Sequence, residues 1–305
     1  MIIKKKTHWF GMLFEWNGSV LPKLLPRLLI IFIYSCIVVY FREELLTYQL
    51  AINPAIFTLF GIALAIFLGF RNTVSYDRFW EGRKLWGALL NDTRSLARQV
   101  HTLVEGPNYN AERSRFIKLL TAVVFALKHQ LRNTDAEEDF KRLLSADDLN
   151  KYRYKVYKPI MLLNELGLWI NNAKRDGRLD SITQANVDTN LNKLSDIIGG
   201  CERIASTPIP YTYSILLHRT VYIYCFLLPF GFVGSMEWLS PLVIVFIAYT
   251  FVALEAIADE LEDPFGIEDN DLALDAMANN IENTLAEIDN KKIEAIVPSK
   301  DYYII

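Results

Sequence analysis

The chain has 305 residues, of which 52% are hydrophobic and 22% are charged, and its formal net charge is −3. This composition excludes a disordered chain, and the small net charge gives no reason to expect a nucleic acid partner. The 3 cysteines are odd in number and scattered, which excludes a disulfide framework.

Four apolar windows are long enough to cross a bilayer, which needs about 20 residues per helix. The windows span residues 24–41, 52–70, 220–236 and 238–257. The connection at residues 42–53 contains a single arginine, and the connection at 234–241 contains no lysine or arginine. Basic residues crowd at the opposite ends of the windows. By the positive-inside rule, we expect both termini and the long middle segment to face the cytoplasm.

The middle segment, residues 72–210, is too polar to cross a membrane, and its apolar residues recur at helical spacing. Helices are predicted over residues 79–104, 111–132, 149–174 and 182–204. The segment has no strand-like alternation. The sequence therefore predicts an all-α, multi-pass membrane protein with four transmembrane helices and a cytosolic helical bundle.

The fourth window leads into an acidic stretch, residues 255–275, and a short helix predicted at about 271–289. The tail, residues 290–305, is expected to be extended or disordered unless it docks, and its apolar last residues, Tyr-Tyr-Ile-Ile, favour docking onto the cytosolic domain. Four parts are expected: an N-terminal segment with transmembrane helices 1 and 2 (1–71), a cytosolic helical domain (72–210), transmembrane helices 3 and 4 (211–258), and a cytosolic acidic segment, helix and tail (259–305).

The second window carries two adjacent stripes of period four. Gly61, Ala65 and Gly69 form a small stripe, and Ile62, Ile66 and Phe70 form a bulky one. Small residues at this spacing let membrane helices approach closely, either within one subunit or between copies.

If several copies packed through their small stripes, the bulky stripes would point toward a common axis. They would form a narrow apolar ring, which can gate ion flow by dewetting. One subunit with four spans cannot enclose such a path, so a pore requires a cyclic oligomer.

Nucleophilic catalysis has no support in the sequence, which lacks a G-x-S-x-G motif and a glycine-rich phosphate loop. We therefore expect no enzyme and no required cofactor. Two alternatives to a channel remain open. The protein could be a membrane scaffold or sensor that moves no ion, or an enzyme using the acidic side chains between Glu260 and Asp271.

The chain resembles the bestrophin family, specifically its bacterial branch. The similarity is carried by 59-LFGIALAIFLGFRNTVSYDRFWEGRKLWG-87, 199-GGCERIASTPIPYTY-213 and 257-IADELEDPFG-266, together with the four-span layout. Bestrophins are pentameric ion channels, so the resemblance implies a homo-oligomer of five copies in the cell membrane (the inner membrane of a bacterium).

The resemblance also implies site residues. The bestrophin neck is lined by three bulky apolar residues on the second span, and Ile62, Ile66 and Phe70 match them. Bestrophins also have a cytosolic aperture, and alignment places it at Ile182. The alternative for Ile182 is a buried residue at a helix start.

Animal bestrophins are calcium-activated anion channels, with an acidic clasp directly after a Pro-Phe-Gly motif. Glu268 and Asp271 match clasp positions here, whereas Ile267 and Asn270 depart from the all-acidic run. The resemblance thus implies a divalent cation bound by Glu268 and Asp271, and a solvated acidic turn is the alternative.

The sign of the permeating ion rests on the charged entrances, because an apolar neck does not select a sign. The predicted extracellular residues Arg42, Glu43, Glu44 and Glu237 give a net charge of −2 per subunit. A negative outer mouth concentrates cations. We therefore expect a channel for monovalent cations, with a chloride channel like those of animal bestrophins as the alternative.

Overall fold

The computed structural model describes residues 8–12, 14–16, 18–48, 53–106, 109–234 and 236–293. Within these residues the chain is helical and contains no strand, which confirms the predicted all-α fold. The helices are α1 (Trp9–Met12), α2 (Leu21–Tyr40), α3 (Arg42–Thr47), α4 (Pro54–Leu103), α5 (Tyr109–Arg132), α6 (Glu137–Leu143), α7 (Ala146–Tyr152), α8 (Lys158–Arg175), α9 (Ser181–Ser206), α10 (Tyr211–Phe232), α11 (Ser240–Glu262) and α12 (Leu274–Ile288). The tail for which docking was predicted lies mostly outside the described residues.

The chain divides into two compact units. Among the described residues, the membrane unit comprises those up to Phe79 together with Pro208–Asp263. The helical unit comprises Trp80–Thr207 and the described residues from Pro264 onward.

Four helices in the described part of the chain are long and apolar enough to cross a membrane. They are α2, the first part of α4, α10, and the segment Glu237–Glu262 that contains α11. Each coincides with one of the four predicted windows, which confirms four helices that are long and apolar enough to cross a membrane.

The core of the membrane unit is formed where α2, α4, α10 and α11 pack together. Its buried residues include Leu24, Leu68, Val221, Cys225 and Val252. Lipid tails are as apolar as these side chains, so the helices are held by close packing and polar contacts rather than by exclusion from water.

α4 is a single helix of 50 residues, where the sequence predicted separate helices ending near Phe70 and beginning near Phe79. The intervening polar residues continue the helix because their side chains bond back to its own carbonyls. The amide of Asn72 donates to Leu68 O (2.9 Å), and the hydroxyl of Thr73 donates to Gly69 O (3.0 Å). No proline lies between these residues to end the helix.

The helical unit is built around α5, which is buried almost all round between residues 116 and 128. Such a helix must lie in the interior, and α5 packs against α6, α8, α9 and α12. Cys201 on α9 is also fully buried, and burial raises the pKa of its thiol to about 12.

The helix predicted over 149–174 is wrong as a single element, because the structure divides it into α7 and α8. Pro159 lies in the first turn of α8, where its missing N–H costs no hydrogen bond. It also disfavours helical backbone at the residue before it, which separates the two helices. The sequence analysis also missed α6, whose acidic start and basic end complement the helix dipole.

Candidate functional site

The bulky stripe on α4 faces away from the core of its own unit. Ile62, Ile66 and Phe70 are 57%, 53% and 62% exposed, whereas Leu64 and Leu68 are 3% and 0% exposed. At about 100° per residue, these two sets lie on opposite sides of the helix. The core therefore leaves the bulky stripe open along its length.

Ion pairs of the buried Arg71 side chain fix this orientation of α4. Arg71 follows Phe70 directly, and its side chain is only 3% exposed. Its guanidinium donates to the carboxylates of Asp259 and Glu262 on α11. A buried charge is stable only when it is paired in this way, so α4 cannot rotate without breaking these ion pairs.

A second polar contact joins the same two helices. The amide of Asn72 donates to Leu254 O on α11 at 3.0 Å. Neither contact was predicted from the sequence. The signal that could have found the ion pairs is the spacing of Asp259 and Glu262, which places two carboxylates on one face of a helix.

The residues of the small stripe differ in whether they pack within the subunit. A Cβ atom at Gly61 would lie 2.8 Å from Tyr224 Oη, so Gly61 allows α10 to approach α4 within the subunit. A Cβ at Gly69 would meet nothing within 4 Å, and Ala65 is exposed. Packing within one subunit therefore accounts for Gly61 but not for Ala65 and Gly69.

The other flank of the bulky stripe carries large side chains. Phe60, Phe67 and Val74 are 56%, 51% and 49% exposed. By helical geometry, this bulky flank and the small stripe lie about 100° to either side of the Ile62–Ile66–Phe70 stripe. α4 thus presents a small flank, a central apolar stripe and a bulky flank.

Ile182 is the second residue of α9 and is 77% exposed, so it is not the buried helix-start residue considered as the alternative. The N-cap carboxylate of Asp180 accepts hydrogen bonds from Ile182 N (2.8 Å) and Thr183 N (3.0 Å). The hydrogen bonds from the hydroxyl and backbone of Thr183 lower the pKa of Asp180. The cap therefore holds an exposed apolar side chain at a defined position.

Glu268 and Asp271, the residues matched to the calcium clasp, bond to each other in a turn. Glu268 N donates to the Asp271 carboxylate at 2.7 Å, and Asp271 is 3% exposed. Among the described residues, no group of three or more His, Cys, Asp or Glu side chains has a metal-binding arrangement.

The four predicted extracellular charged residues differ in their contacts and exposure. Arg42 pairs with Glu237 at 2.8 Å. Glu43 and Glu44 lie exposed in the first turn of α3, where negative charge is favoured by the helix dipole. The excess negative charge at this end of the membrane unit thus resides on Glu43 and Glu44.

Comparison with known proteins gives consistent matches over the whole chain. Residues 1–287 match the family described as Bacterial/Fungal Bestrophin protein. A voltage-dependent anion channel-forming protein of Ralstonia nicotianae is 47% identical over 94% of both chains. The protein of Escherichia coli K12 with the same description, YneE, is 39% identical over 98% of this chain and 97% of its own.

A crystal structure of a bacterial bestrophin homologue from Klebsiella pneumoniae superimposes with a TM-score of 0.85 at 40% identity. The match covers 88% of this chain and 99% of that one.

Four membrane-crossing helices and an outward apolar stripe define a multi-pass helical membrane protein. Residues 1–287 match one family, and the fold matches a solved structure of a bacterial bestrophin homologue. The chain belongs to the Bacterial/Fungal Bestrophin family, which confirms the resemblance found in the sequence.

Proposed function

We propose that the chain is one subunit of a passive ion channel. Five copies surround a single central pore, and Ile62, Ile66 and Phe70 of each copy form a narrow apolar neck. The observation that carries this proposal is the half-exposed ladder of these three residues, opposite the buried core of the membrane unit. The description of relatives as channel-forming proteins supports it.

The two flanks of α4 support a ring of copies. A bulky flank on one side and open small residues on the other can fit together when one subunit meets the next. Such a head-to-tail contact repeats around an axis and closes into a ring. Membership of the bestrophin family supports five as the number of copies.

An apolar neck limits ion flow by its wetting. Water leaves a sufficiently narrow apolar passage, and an ion that enters must shed part of its hydration shell. The isoleucines and the phenylalanine offer no polar atom that could replace this water. The neck is therefore the main barrier of the pore, and a second constriction forms at the exposed Ile182 of each copy.

The charge distribution supports an inner-membrane protein with both termini in the cytoplasm. Lys23, Arg27 and Arg78 lie at one end of the membrane-crossing helices, and the acidic Glu43 and Glu44 lie at the other. The positive-inside rule assigns the basic end to the cytoplasm. The helical unit is then the cytosolic domain.

Monovalent cations are the proposed permeating ions, because Glu43 and Glu44 repeated in five copies make the outer mouth negative. Pairing of Arg42 with Glu237 leaves these two charges in excess. Anions are the second candidate, since the Ralstonia and Escherichia relatives are described as anion channel-forming proteins.

The experiment is to count subunits in the purified protein and to record currents in liposomes under a potassium chloride gradient. Five subunits and a reversal potential near the potassium equilibrium potential support the proposal. A shift toward the chloride equilibrium potential selects the anion channel. The absence of flux from a folded pentamer selects the scaffold or sensor.

A further inference from the structure

The turn after α11, residues 264–273, is where the resemblance to animal bestrophins implies calcium. Backbone hydrogen bonds close this turn, from Leu272 N to Pro264 O (2.9 Å) and from Asp271 N to Glu268 O (3.1 Å). The carboxylate of Asp271 accepts from Glu268 N. The buried carboxylate of Asp271 thus stabilises the turn through this hydrogen bond.

Arg132, at the C-terminal end of α5, donates hydrogen bonds to three oxygen atoms in or directly after this turn. Arg132 Nε donates to Phe265 O at 3.3 Å, and Nη2 donates to Leu272 O at 3.4 Å. Nη1 is bonded to the carboxylate of Asp275. The arginine side chain is 8% exposed, so this charge is buried against the turn.

The residues of the turn do not fit a calcium ion. Calcium takes about six to eight oxygen ligands, including carboxylates. Here the guanidinium occupies two carbonyl oxygens and one carboxylate, and a second cation, Lys128 Nζ, lies 2.9 Å from Asp275 Oδ1. A divalent ion that used Phe265 O, Leu272 O or the Asp275 carboxylate as ligands would meet these two positive charges, and the carboxylate of Asp271 already accepts a hydrogen bond from Glu268 N.

We propose that the guanidinium of Arg132 is a cation supplied by the chain itself, a positioning residue that holds residues 264–273 in the turn that leads into α12 without calcium. An arginine suits this role because it stays charged and its fork of N–H donors can reach several oxygens at once. The C-terminal end of a helix such as α5 also favours a positive charge.

A second contact, made by Phe265, also stabilises the turn. Phe265 is fully buried and packs on Gly82 of α4, where a Cβ atom would lie 3.0 Å from the Phe265 ring.

Burial alone would raise the pKa of Asp275, but Lys128 and Arg132 lower it below its ordinary value. Asp275 therefore stays charged and keeps its pairing at neutral pH.

Hydrogen–deuterium exchange of the full-length protein in lipid nanodiscs tests the proposal, since exchange reports local opening independently of ion flux. Wild-type protein is compared in EGTA and in calcium chloride, alongside Arg132→Gln and Arg132→Lys. The matched control is Arg142→Gln, which removes another arginine paired to α12, through Glu282, but not bonded to the turn.

We expect residues 265–274 of wild-type protein to exchange equally in EGTA and in calcium. Arg132→Gln should exchange about tenfold or more faster there, as expected for the loss of charged hydrogen bonds. Arg132→Lys should fall between the two, because an ammonium keeps the charge but cannot span both carbonyls. Arg142→Gln should leave this segment unchanged.

Two results would overturn the proposal. One is slower hydrogen–deuterium exchange of residues 265–274 in wild-type protein when calcium is added. The other is unchanged exchange of residues 265–274 in Arg132→Lys and Arg132→Gln. If Arg132→Gln does not fold, the calcium comparison and Arg132→Lys still decide.

Discussion

Ile66 and Leu68 lie two residues apart on α4 and face opposite sides of it. Ile66 is 53% exposed, and Leu68 is fully buried among α2, α10 and α11. The same helix therefore carries a side chain that holds the subunit together and one that the subunit's own packing does not use.

Replacing Ile66 with alanine should raise ion flux several-fold, because a wider and less apolar neck stays wet more easily. It should change thermal stability little. Leu68→Ala is the matched control, and it should cost about 2–5 kcal/mol as a buried leucine. Flux assays in liposomes and thermal unfolding measure the two effects. Unchanged flux in Ile66→Ala would show that this residue does not line the pore.

A charge placed in the neck should select the sign of the ion. Rings of charged side chains set the selectivity of channels, so Ile66→Glu should favour cations and Ile66→Lys should favour anions. The reversal potential under a potassium chloride gradient should move in opposite directions in the two variants. Equal reversal potentials in both would show that ions do not pass this residue.

The exposed glutamates of α3 should concentrate cations at the outer mouth. Glu43→Gln with Glu44→Gln should lower cation preference, and the difference from wild type should shrink at high salt because screening weakens exposed charges. The exposed Glu138→Gln in the helical unit is the control. Single-channel currents at low and high ionic strength provide the measurement, and an equal effect of the control would contradict the assignment.

Gly69 should be a contact between copies. Gly69→Phe should weaken the oligomer, because a large ring would fill the open small flank that the bulky flank of the next copy needs. Gly199→Phe is matched to it, since a Cβ atom there also meets nothing within 4 Å, but it lies on α9. Native mass spectrometry counts the subunits. A pentamer as stable as wild type in Gly69→Phe would place the interface elsewhere.

Acid should destabilise the helical unit through Asp139. Burial alone would raise the pKa of Asp139, but the hydrogen bond to His129 and the charge of Lys128 lower it well below its ordinary value. A carboxylate with a lowered pKa stabilises the fold above its unfolded-state pKa, and this stabilisation is lost as the pH falls through the folded-state pKa.

The melting temperature of wild-type protein should therefore fall as the pH drops below about 4. In Asp139→Asn the fall should be smaller, and stability at neutral pH should be lower from the start. The exposed Asp147→Asn should behave like wild type. A pH profile of Asp139→Asn identical to wild type would assign the acid sensitivity to other groups.

The sequence predicted the elements that local pattern determines. Four long apolar windows marked the helices able to cross a membrane, and period-four spacing marked the bulky stripe. Composition did not show which face of α4 is the core, because Leu64 and Leu68 are as apolar as Ile62 and Ile66. That choice depends on the packing of α2, α10 and α11, which are distant in sequence.

Contacts between distant residues were beyond the sequence. Arg71 pairs with Asp259, 188 residues away, and Arg132 bonds to Phe265 O, 133 residues away. A local pattern, such as the spacing of Asp259 and Glu262, can mark one side of a contact, but it does not identify the distant partner. The break before α8, by contrast, was predictable from Pro159 by ordinary backbone sterics.

The burial of Cys201 and Cys225 has a practical consequence for labelling chemistry. A thiol reacts as its thiolate, and Cys201, with a pKa of about 12, forms almost none at neutral pH. Cys225 is 1% exposed and is shielded from reagents. Once Cys36→Ser removes the partly exposed thiol, Ile66→Cys introduces the one thiol that a reagent can reach among the described residues. Its rate of alkylation by a water-soluble reagent would read hydration at that level directly.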